Sequence, residues 1–240
     1  MILLLSIVSQ AEGQRSFKDA QLSFPRVKSA YQEKWDNLKR DLQTAKFKTP
    51  FQIYITAYKA EGKLEVWIKN NGDQQYRLFR EYPFCKNSGT LGPKAKENDG
   101  QTPEGFYYIN VFNPQSTYHL SLGINYPNEV DLVRSGKNKP GNEIYIHGKC
   151  ITIGCIPLTD EKIKEVYVLG VEARSTGQSK IPVHIFPFKM TVENMKKYEV
   201  QFPQQMEFWK TLQPAYLQFE KNKRMPQITS KEGKYMISKI

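Results

Sequence analysis

A histidine and a cysteine in one short segment have the residue types and spacing for nucleophilic catalysis. His147 lies eight residues before Cys155, which directly follows Gly154. A cysteine with its usual pKa of about 8.5 is a poor nucleophile, and an imidazole that takes its proton generates the reactive thiolate. We therefore expect His147 to lower the pKa of Cys155. Glycine permits a sharp turn, so the backbone N–H groups of Gly154 and Cys155 are candidates for stabilising an oxyanion.

The same residues allow other roles. Cysteine is among the most buried residue types, so the pair could be a core cysteine and a packed strand histidine. Cys150 is a rival nucleophile closer to His147, but no glycine precedes it. A zinc site needs four protein ligands, or three and a water, and no second ligand cluster accompanies this segment. We expect neither a metal nor a cofactor.

Two pieces of the segment carry a resemblance to a known family. Ile146-His147-Gly148, followed by Thr152-Ile153-Gly154-Cys155, resembles the signature of the YkuD-type L,D-transpeptidases. The short insert between the histidine and the cysteine is similar to the YafK-like branch of that family. Further segments resemble the same branch in the same order, at residues 99–108, 118–128, 185–190 and 208–220.

This resemblance implies acyl transfer on peptidoglycan stem peptides. Cys155 would attack the carbonyl of the third-position diamino acid and expel the terminal D-alanine, leaving a thioester, with His147 as base and then acid. The backbone carbonyl of Gly148 would hold the imidazole tautomer. Thr152 would shape the pocket, and the N–H groups of Gly154 and Cys155 would form the oxyanion hole.

The fate of the thioester stays open. An amine acceptor gives a 3-3 cross-link or attaches an envelope lipoprotein, whereas water gives a carboxypeptidase, or an endopeptidase that releases such a lipoprotein. A non-catalytic peptidoglycan-binding protein with the same fold is a third alternative. Pro157 stands where many family members carry an arginine, so another group must recognise the substrate carboxylate.

Composition is typical of a globular protein. The chain has 240 residues, 39% apolar and 25% charged, which suits a single domain with a substantial core. The 35 Lys and Arg residues outnumber the 24 acidic residues, giving a net charge of +11. These basic residues are scattered and lie in no nucleic-acid-binding motif. We expect a monomer that binds stem peptides, with a lipoprotein as an optional partner and no nucleic acid.

The first eleven residues predict export. Residues 1–11 have a short apolar run that ends in Ser9-x-Ala11, the small-x-small pattern of a signal peptidase site. A buried N-terminal strand is the alternative. The run is too short to span a bilayer, and we expect a periplasmic protein without a transmembrane segment. Three cysteines in an exported protein predict one free thiol, at Cys155, and leave open whether Cys85 and Cys150 pair.

The elements around the motif predict an α+β, mainly β fold, which the resemblance specifies as a YkuD-like antiparallel β-sandwich core with flanking helices. Apolar spacing of three and four predicts a helix over residues 25–45, and helical patterns recur at 159–177, 192–198 and 204–222, with a break near Pro214. Alternating β-branched and aromatic runs predict strands at 51–59, 63–70, 74–84, 105–112, 117–122, 143–147 and 182–188, and a closing hairpin near 232–233.

These elements predict four consecutive regions. A signal peptide (1–11) precedes an N-terminal helical segment (12–49), a catalytic domain (50–190) and a C-terminal helical extension with a hairpin on the same domain (191–240). Tyr126, Asn125 and Arg134 lie before the histidine strand and could form a lid that contacts substrate, or a solvated loop. His119 and His184 alternate with apolar neighbours and are expected to be packed.

Overall fold

The computed structural model describes residues 16 to 238, so the predicted signal peptide lies outside the described residues. Six α-helices occur in this part of the chain: α1 (Phe17–Leu22), α2 (Pro25–Thr44), α3 (Glu129–Ser135), α4 (Asp160–Ser175), α5 (Val192–Gln201) and α6 (Met206–Asn222). The strands are β1 (Phe51–Tyr58), β2 (Lys63–Asn70), β3 (Arg77–Pro83), β4 (Gly105–Asn113), β5 (Ser121–Ile124), β6 (Tyr145–His147), β7 (Ile156–Pro157), β8 (Ile181–Phe186), β9 (Ile228–Lys231) and β10 (Lys234–Ile237). No helix among these is both long and apolar enough to cross a membrane.

Eight strands form one curled sheet in the order β3-β2-β1-β8-β4-β5-β6-β7. Most neighbours are antiparallel, but β1 pairs with β8 and β6 pairs with β7 in parallel. The remaining strands, β9 and β10, form a separate hairpin. The predicted mainly β, α+β class with flanking helices is confirmed.

The central strand β1 is buried on both faces, and its alternation assigns a different set of helices to each face. Ile53, Ile55 and Ala57 join the core that contains α2 and α4. Tyr58, on the opposite face, joins the cluster formed with α6. Helix α4 is buried almost all round because α1 and α2 cover the side that the sheet does not. The sheet is therefore a middle layer that helices hold from both sides.

Three local predictions are corrected. Helix α6 runs through Pro214 without a break. Proline removes one backbone hydrogen bond, but Pro214 and Lys210, whose carbonyl loses that bond, are both exposed, so water can replace it. The predicted loop before β6 contains α3, which begins with a capping box of Asn128 and Asp131. Strand β5 begins at Ser121, not at residue 117, because the chain turns at residues 117–118 and bends at 119–120.

A buried ion pair connects the sheet to α6. Lys59 follows β1 and its Nζ lies 3.0 Å from Oε1 of Glu104, which is fully buried before β4. Glu104 also accepts hydrogen bonds from the backbone N–H of Gly92 and from Nε1 of Trp209 on α6, both at 2.7 Å. Lys59 donates further to the carbonyls of Gly92 and Thr102, at 2.7 and 2.9 Å. Burial lowers the pKa of Lys59, so its charge depends on these partners.

Removing the carboxylate should therefore destabilise the fold. Glu104→Gln leaves the Lys59 ammonium without its counter-ion, and we expect the free energy of unfolding to fall by about 3 kcal/mol. Urea denaturation measures this loss. Glu81→Gln is the matched control, because Glu81 pairs with Lys63 at 3.1 Å on the surface and should cost less than about 1 kcal/mol. Similar losses in the two variants would contradict a special role for the buried pair.

Candidate active site

The pairing of β6 with β7 places the candidate base and nucleophile on one face of the sheet. Ile146 pairs with Ile156 and His147 pairs with Pro157. Cys155 directly precedes β7, and its Sγ accepts the N–H of Tyr145, so the same register continues to this pair. Because side chains alternate along an extended chain, we expect Cys155 to point away from the buried Ile156 and toward the face that His147 occupies. The two residues are thus diagonal neighbours across adjacent strands.

The backbone fixes the tautomer of His147. Its Nδ1 lies 2.6 Å from the carbonyl oxygen of Gly148, which can only accept, so Nδ1 carries the proton and donates it. The other ring nitrogen, Nε2, is therefore unprotonated and able to accept a proton. The side chain is 1% exposed, and this burial lowers the pKa of His147, with the Gly148 bond acting in the opposite direction. The imidazole is consequently neutral near pH 7.

A side chain at position 148 would not fit. A Cβ there would lie 2.7 Å from Oδ1 of Asp160 and 2.9 Å from the carbonyl oxygen of Tyr118. The same Asp160 oxygen accepts a hydrogen bond from the N–H of Lys149 at 2.8 Å. Gly148 thus lets the chain pass close to the start of α4 while its carbonyl points at the imidazole.

Cys155 is a half-buried free thiol. Its Sγ accepts a hydrogen bond from the N–H of Tyr145 at 3.4 Å and lies 3.7 Å from the carbonyl oxygen of Glu143. Burial raises the pKa of Cys155, although the Tyr145 bond and the charge of Lys94 act to lower it. This direction is opposite to the one expected from the sequence, because desolvation of the thiolate outweighs the groups that favour it. The thiol and the imidazole are both neutral at rest.

Thr152 closes the turn that carries the cysteine. Its hydroxyl donates to the carbonyl oxygen of Cys155 at 2.8 Å and accepts from the N–H of Gly154 at 3.2 Å. Of the predicted oxyanion pair, the Gly154 N–H is bonded to Thr152 in this structure, and the role of the pair stays a prediction. The other predicted donor, the N–H of Cys155, takes no part in the bond between Gly154 and Thr152. Gly154 has φ of +138°, and a Cβ there would lie 2.9 Å from the carbonyl oxygen of Gln101, which explains the glycine.

A disulfide joins Cys85 to Cys150, with the two Cα atoms 5.4 Å apart. This answers the question that the sequence leaves open. The backbone N–H of Cys85 also donates to the carbonyl oxygen of Pro157 at 3.1 Å. The disulfide attaches the segment after β3 to the loop between His147 and Cys155, and the hydrogen bond attaches the same segment to β7.

A cavity of about 290 Å³ opens beside Cys155. Residues 86–91, which follow the disulfide, form one wall, and Lys59, Thr102 and Phe202 contribute to the rest. Lys59 already uses its three donors on Gly92, Thr102 and Glu104. The exposed Lys86 is the other cation of the lining. The disulfide therefore holds a wall of the cavity against the loop that carries the thiol.

The three predicted substrate contacts do not line this cavity. The hydroxyl of Tyr126 donates to the carbonyl oxygen of Pro140 at 2.9 Å and so supports the loop before β6. Oδ1 of Asn125 accepts the N–H of Tyr108 at 2.7 Å. Arg134 lies over the ring of Phe208, 3.9 Å from its centre. Each side chain has a structural partner, and direct substrate contact stays a prediction.

Sequence reasoning missed the cavity wall and the buried lysine. Residues 86–91 have only the polar composition of a loop, and Lys59 is one of many scattered basic residues. Of these cavity-lining residues, only Thr102 lies in a segment with a sequence signal, namely residues 99–108, which resemble the family. The missed groups come to the site through tertiary contacts that no local pattern encodes.

Known proteins resemble this chain in sequence and in structure. Residues 52–185 match the YkuD family model, described as the L,D-transpeptidase catalytic domain. The chain is 35% identical over 189 residues to the putative L,D-transpeptidase YafK of Escherichia coli K12, covering 78% of this chain and 74% of that protein. Among solved structures it is similar to the helical cell shape determining protein Pgp2 of Campylobacter jejuni, with 19% identity and a TM-score of 0.45 over 77% and 74% of the two chains. Bd1075 of Bdellovibrio bacteriovorus has 23% identity and a TM-score of 0.41 over 66% and 56%.

The Thr152 hydroxyl should set the reactivity of the cysteine turn. Thr152→Val keeps the side-chain shape but removes both hydrogen bonds, and we expect alkylation of Cys155 by iodoacetamide to slow about tenfold, the scale of a lost hydrogen bond. Thr152→Ser keeps the hydroxyl and should stay within about twofold of the wild type. Equal rates in the valine variant and the wild type would contradict this role.

Loss of the disulfide should affect stability more than reactivity. Cys150→Ser frees a loop of 65 residues, for which the chain-entropy model gives a loss of roughly 4 kcal/mol in the free energy of unfolding. Urea denaturation of the oxidised protein measures it. The double variant Cys85→Ser/Cys150→Ser should lose no more than either single variant, because all three lack the same bond. Losses that add would show that the cysteines act separately.

Proposed function

The chain belongs to the YkuD family of L,D-transpeptidase catalytic domains, as its sequence motifs predict, and we propose that it is a cysteine-dependent acyltransferase acting on peptidoglycan stem peptides. The observation that carries this proposal is the bond from Nδ1 of His147 to the carbonyl of Gly148, which leaves Nε2 as a base on the face of the sheet that Cys155 shares. The cavity beside Cys155 supplies room for a peptide.

In the first step Cys155 becomes acylated. As Sγ attacks the carbonyl carbon of the stem peptide, its proton passes to Nε2 of His147 and the carbonyl oxygen becomes an oxyanion. The backbone N–H of Cys155 donates to that oxygen. When the tetrahedral intermediate collapses, the C–N bond breaks and the leaving amine takes the proton from His147. The terminal D-alanine leaves and a thioester remains.

The resting protonation states suit this route. Burial raises the pKa of Cys155 and lowers that of His147, so the neutral thiol and neutral imidazole predominate near pH 7. Proton transfer then accompanies attack, and a stored thiolate is not required. As pH falls below the pKa of His147, the imidazole becomes protonated and loses its function as a base. Because that pKa lies below the ordinary value of about 6.5, activity should persist into mildly acidic conditions.

In the second step an acceptor resolves the thioester. An amine from another stem peptide gives a 3-3 cross-link, and an amine of an envelope lipoprotein attaches that protein. Water as acceptor gives hydrolysis of stem peptides or release of such a lipoprotein. His147, neutral again after the first step, accepts the proton of either acceptor at Nε2.

Substrate recognition needs a cation for the stem carboxylates. Pro157 occupies the position of the arginine that many family members carry, and Lys59 is fully engaged with its three acceptors. Lys86, exposed on the cavity wall, is the remaining lining cation and supplies the charge. The disulfide next to it fixes the backbone from which Lys86 projects.

The disulfide also supports a location outside the cytoplasm. Disulfides form and persist in oxidising compartments such as the periplasm and are rare in the reducing cytosol. The Cys85–Cys150 bond is therefore in keeping with the export expected from residues 1–11. The family acts in the cell envelope, and we propose a periplasmic enzyme.

The decisive experiment incubates the enzyme with purified muropeptides and analyses the products by mass spectrometry. We expect Cys155→Ala to abolish turnover and Cys150→Ser, the control at the disulfide-bonded cysteine of the same segment, to keep most of it at 25 °C. His147→Ala should slow acylation by roughly two to four orders of magnitude, the usual contribution of general-base catalysis. A cross-linked product identifies transpeptidation, and trimmed or released peptides identify hydrolysis. Bound but unchanged muropeptides in the wild type would make the chain a binding protein and overturn the proposal.

A further inference from the structure

The ring of Tyr118 covers the imidazole of His147. The two ring centres are 4.7 Å apart and the planes are inclined by 34°, which brings the tyrosine close to a stacked position. His147 is 1% exposed, whereas Tyr118 is 40% exposed. Tyr118 thus forms the boundary between the imidazole and solvent on this side of the site.

The turn that carries Tyr118 is held from two directions. Within the turn, the N–H of Tyr118 donates to Oγ of Ser116 at 3.0 Å. From α2, Nη1 of Arg26 donates to the carbonyl oxygens of Ser116 and His119, at 2.5 and 2.9 Å. His119 has φ of +71°, a region that non-glycine residues seldom adopt, so its backbone needs such support. Arg26 bonds both ends of the turn and closes it.

The same turn also packs against the residue that binds the imidazole. A Cβ at Gly148 would lie 2.9 Å from the carbonyl oxygen of Tyr118 and 3.0 Å from Cβ of His119. The N–H of Gly148 donates to the carbonyl oxygen of Leu120 at 3.1 Å. The turn therefore touches His147 through the ring of Tyr118 and touches its hydrogen-bond acceptor through the backbone.

We infer that Tyr118 is a positioning residue for His147, that it stabilises the imidazolium formed during proton transfer, and that Arg26 holds it in place. This inference rests on the proposed role of His147 as the base. The aromatic face carries negative charge density and attracts a cation that lies over it. Its contact with one face of the imidazole also opposes rotation of the ring, so Nε2 keeps its direction.

The titratable groups around His147 do not replace the contact between its imidazole and the ring of Tyr118. Asp160, at the start of α4, directs Oδ1 to the N–H of Lys149. Burial is the main influence on the pKa of His147, followed by the carbonyl of Gly148. His119 belongs to the turn itself, and Cys155 is the proton donor. The tyrosine ring is thus the group that acts on the face of the imidazole.

Two substitutions of Tyr118 separate the aromatic contact from simple covering. Tyr118→Phe keeps the ring, whereas Tyr118→Leu keeps an apolar cover without the aromatic face. We expect the pKa of His147 in the leucine variant to fall by about half a unit and alkylation of Cys155 by iodoacetamide near pH 7 to slow about threefold. The phenylalanine variant should match the wild type in both. The chain has only three histidines, so NMR titration can follow His147 individually.

Arg26 provides an independent variant on the surface. Arg26→Met should reproduce part of the effect of Tyr118→Leu on the pKa of His147 and on alkylation. Arg40→Met is the matched control, because Arg40 lies on the same helix and its guanidinium hydrogen-bonds to the neighbouring Asn37 instead of the turn. It should leave both measurements unchanged.

Outcomes for this inference and for the proposed function are distinguishable. Alkylation and NMR titration need no peptidoglycan substrate, so a shift in the leucine variant supports the positioning role even if muropeptides are not turned over. If muropeptides are turned over but the leucine and phenylalanine variants both titrate and react like the wild type, the positioning role is overturned and the proposed function stands. Melting temperatures within a few degrees of the wild type exclude unfolding as the cause.

Discussion

Parallel neighbouring strands are ordinarily joined by a crossover of a dozen or more residues, yet β6 and β7 are parallel and only residues 148–155 connect them. A connection this short must leave the sheet edge and return almost at once. Lys149 adopts φ of +60° and Gly154 φ of +138°, which are the two sharp changes of direction. The candidate site follows from this connection, because the proposed base, His147, ends β6 and the proposed nucleophile, Cys155, is the last residue of the connection before β7.

The connection is supported at each turn by a different interaction. Asp160 accepts the N–H of Lys149, the disulfide fixes Cys150, and the Thr152 hydroxyl bridges Gly154 and Cys155. Such distributed support explains why the segment needs many particular residues although the proposed chemistry uses the side chains of only His147 and Cys155. The C-terminal part contributes at longer range, since Trp209 on α6 bonds the Glu104 carboxylate beneath the cavity. The catalytic sheet and the C-terminal helix therefore share one buried polar network.

Features that depend on nearby residues were predictable from the sequence. The histidine and cysteine signature, the helix α2 and the closing hairpin near 232–233 all have local signals, and Gly148 was assigned its carbonyl role by family resemblance. Features that depend on distant contacts were not. The pairing of Cys85 with Cys150 requires a distance between residues 65 positions apart, and the raised pKa of Cys155 requires its burial. The capping box of Asn128 and Asp131 was a local signal that went unread.

The disulfide also determines the redox chemistry available to Cys155. The chain contains three cysteines, and with two of them paired Cys155 is its only thiol. A cysteine oxidised to sulfenic acid is ordinarily rescued when a neighbouring thiol condenses with it to a disulfide, which a reductase then opens. Cys150, five residues away, cannot serve as that resolving thiol while it is bonded to Cys85. Recovery of an oxidised Cys155 must therefore begin with a thiol from another molecule, and the accessible cavity beside it is the route by which such a reductant arrives.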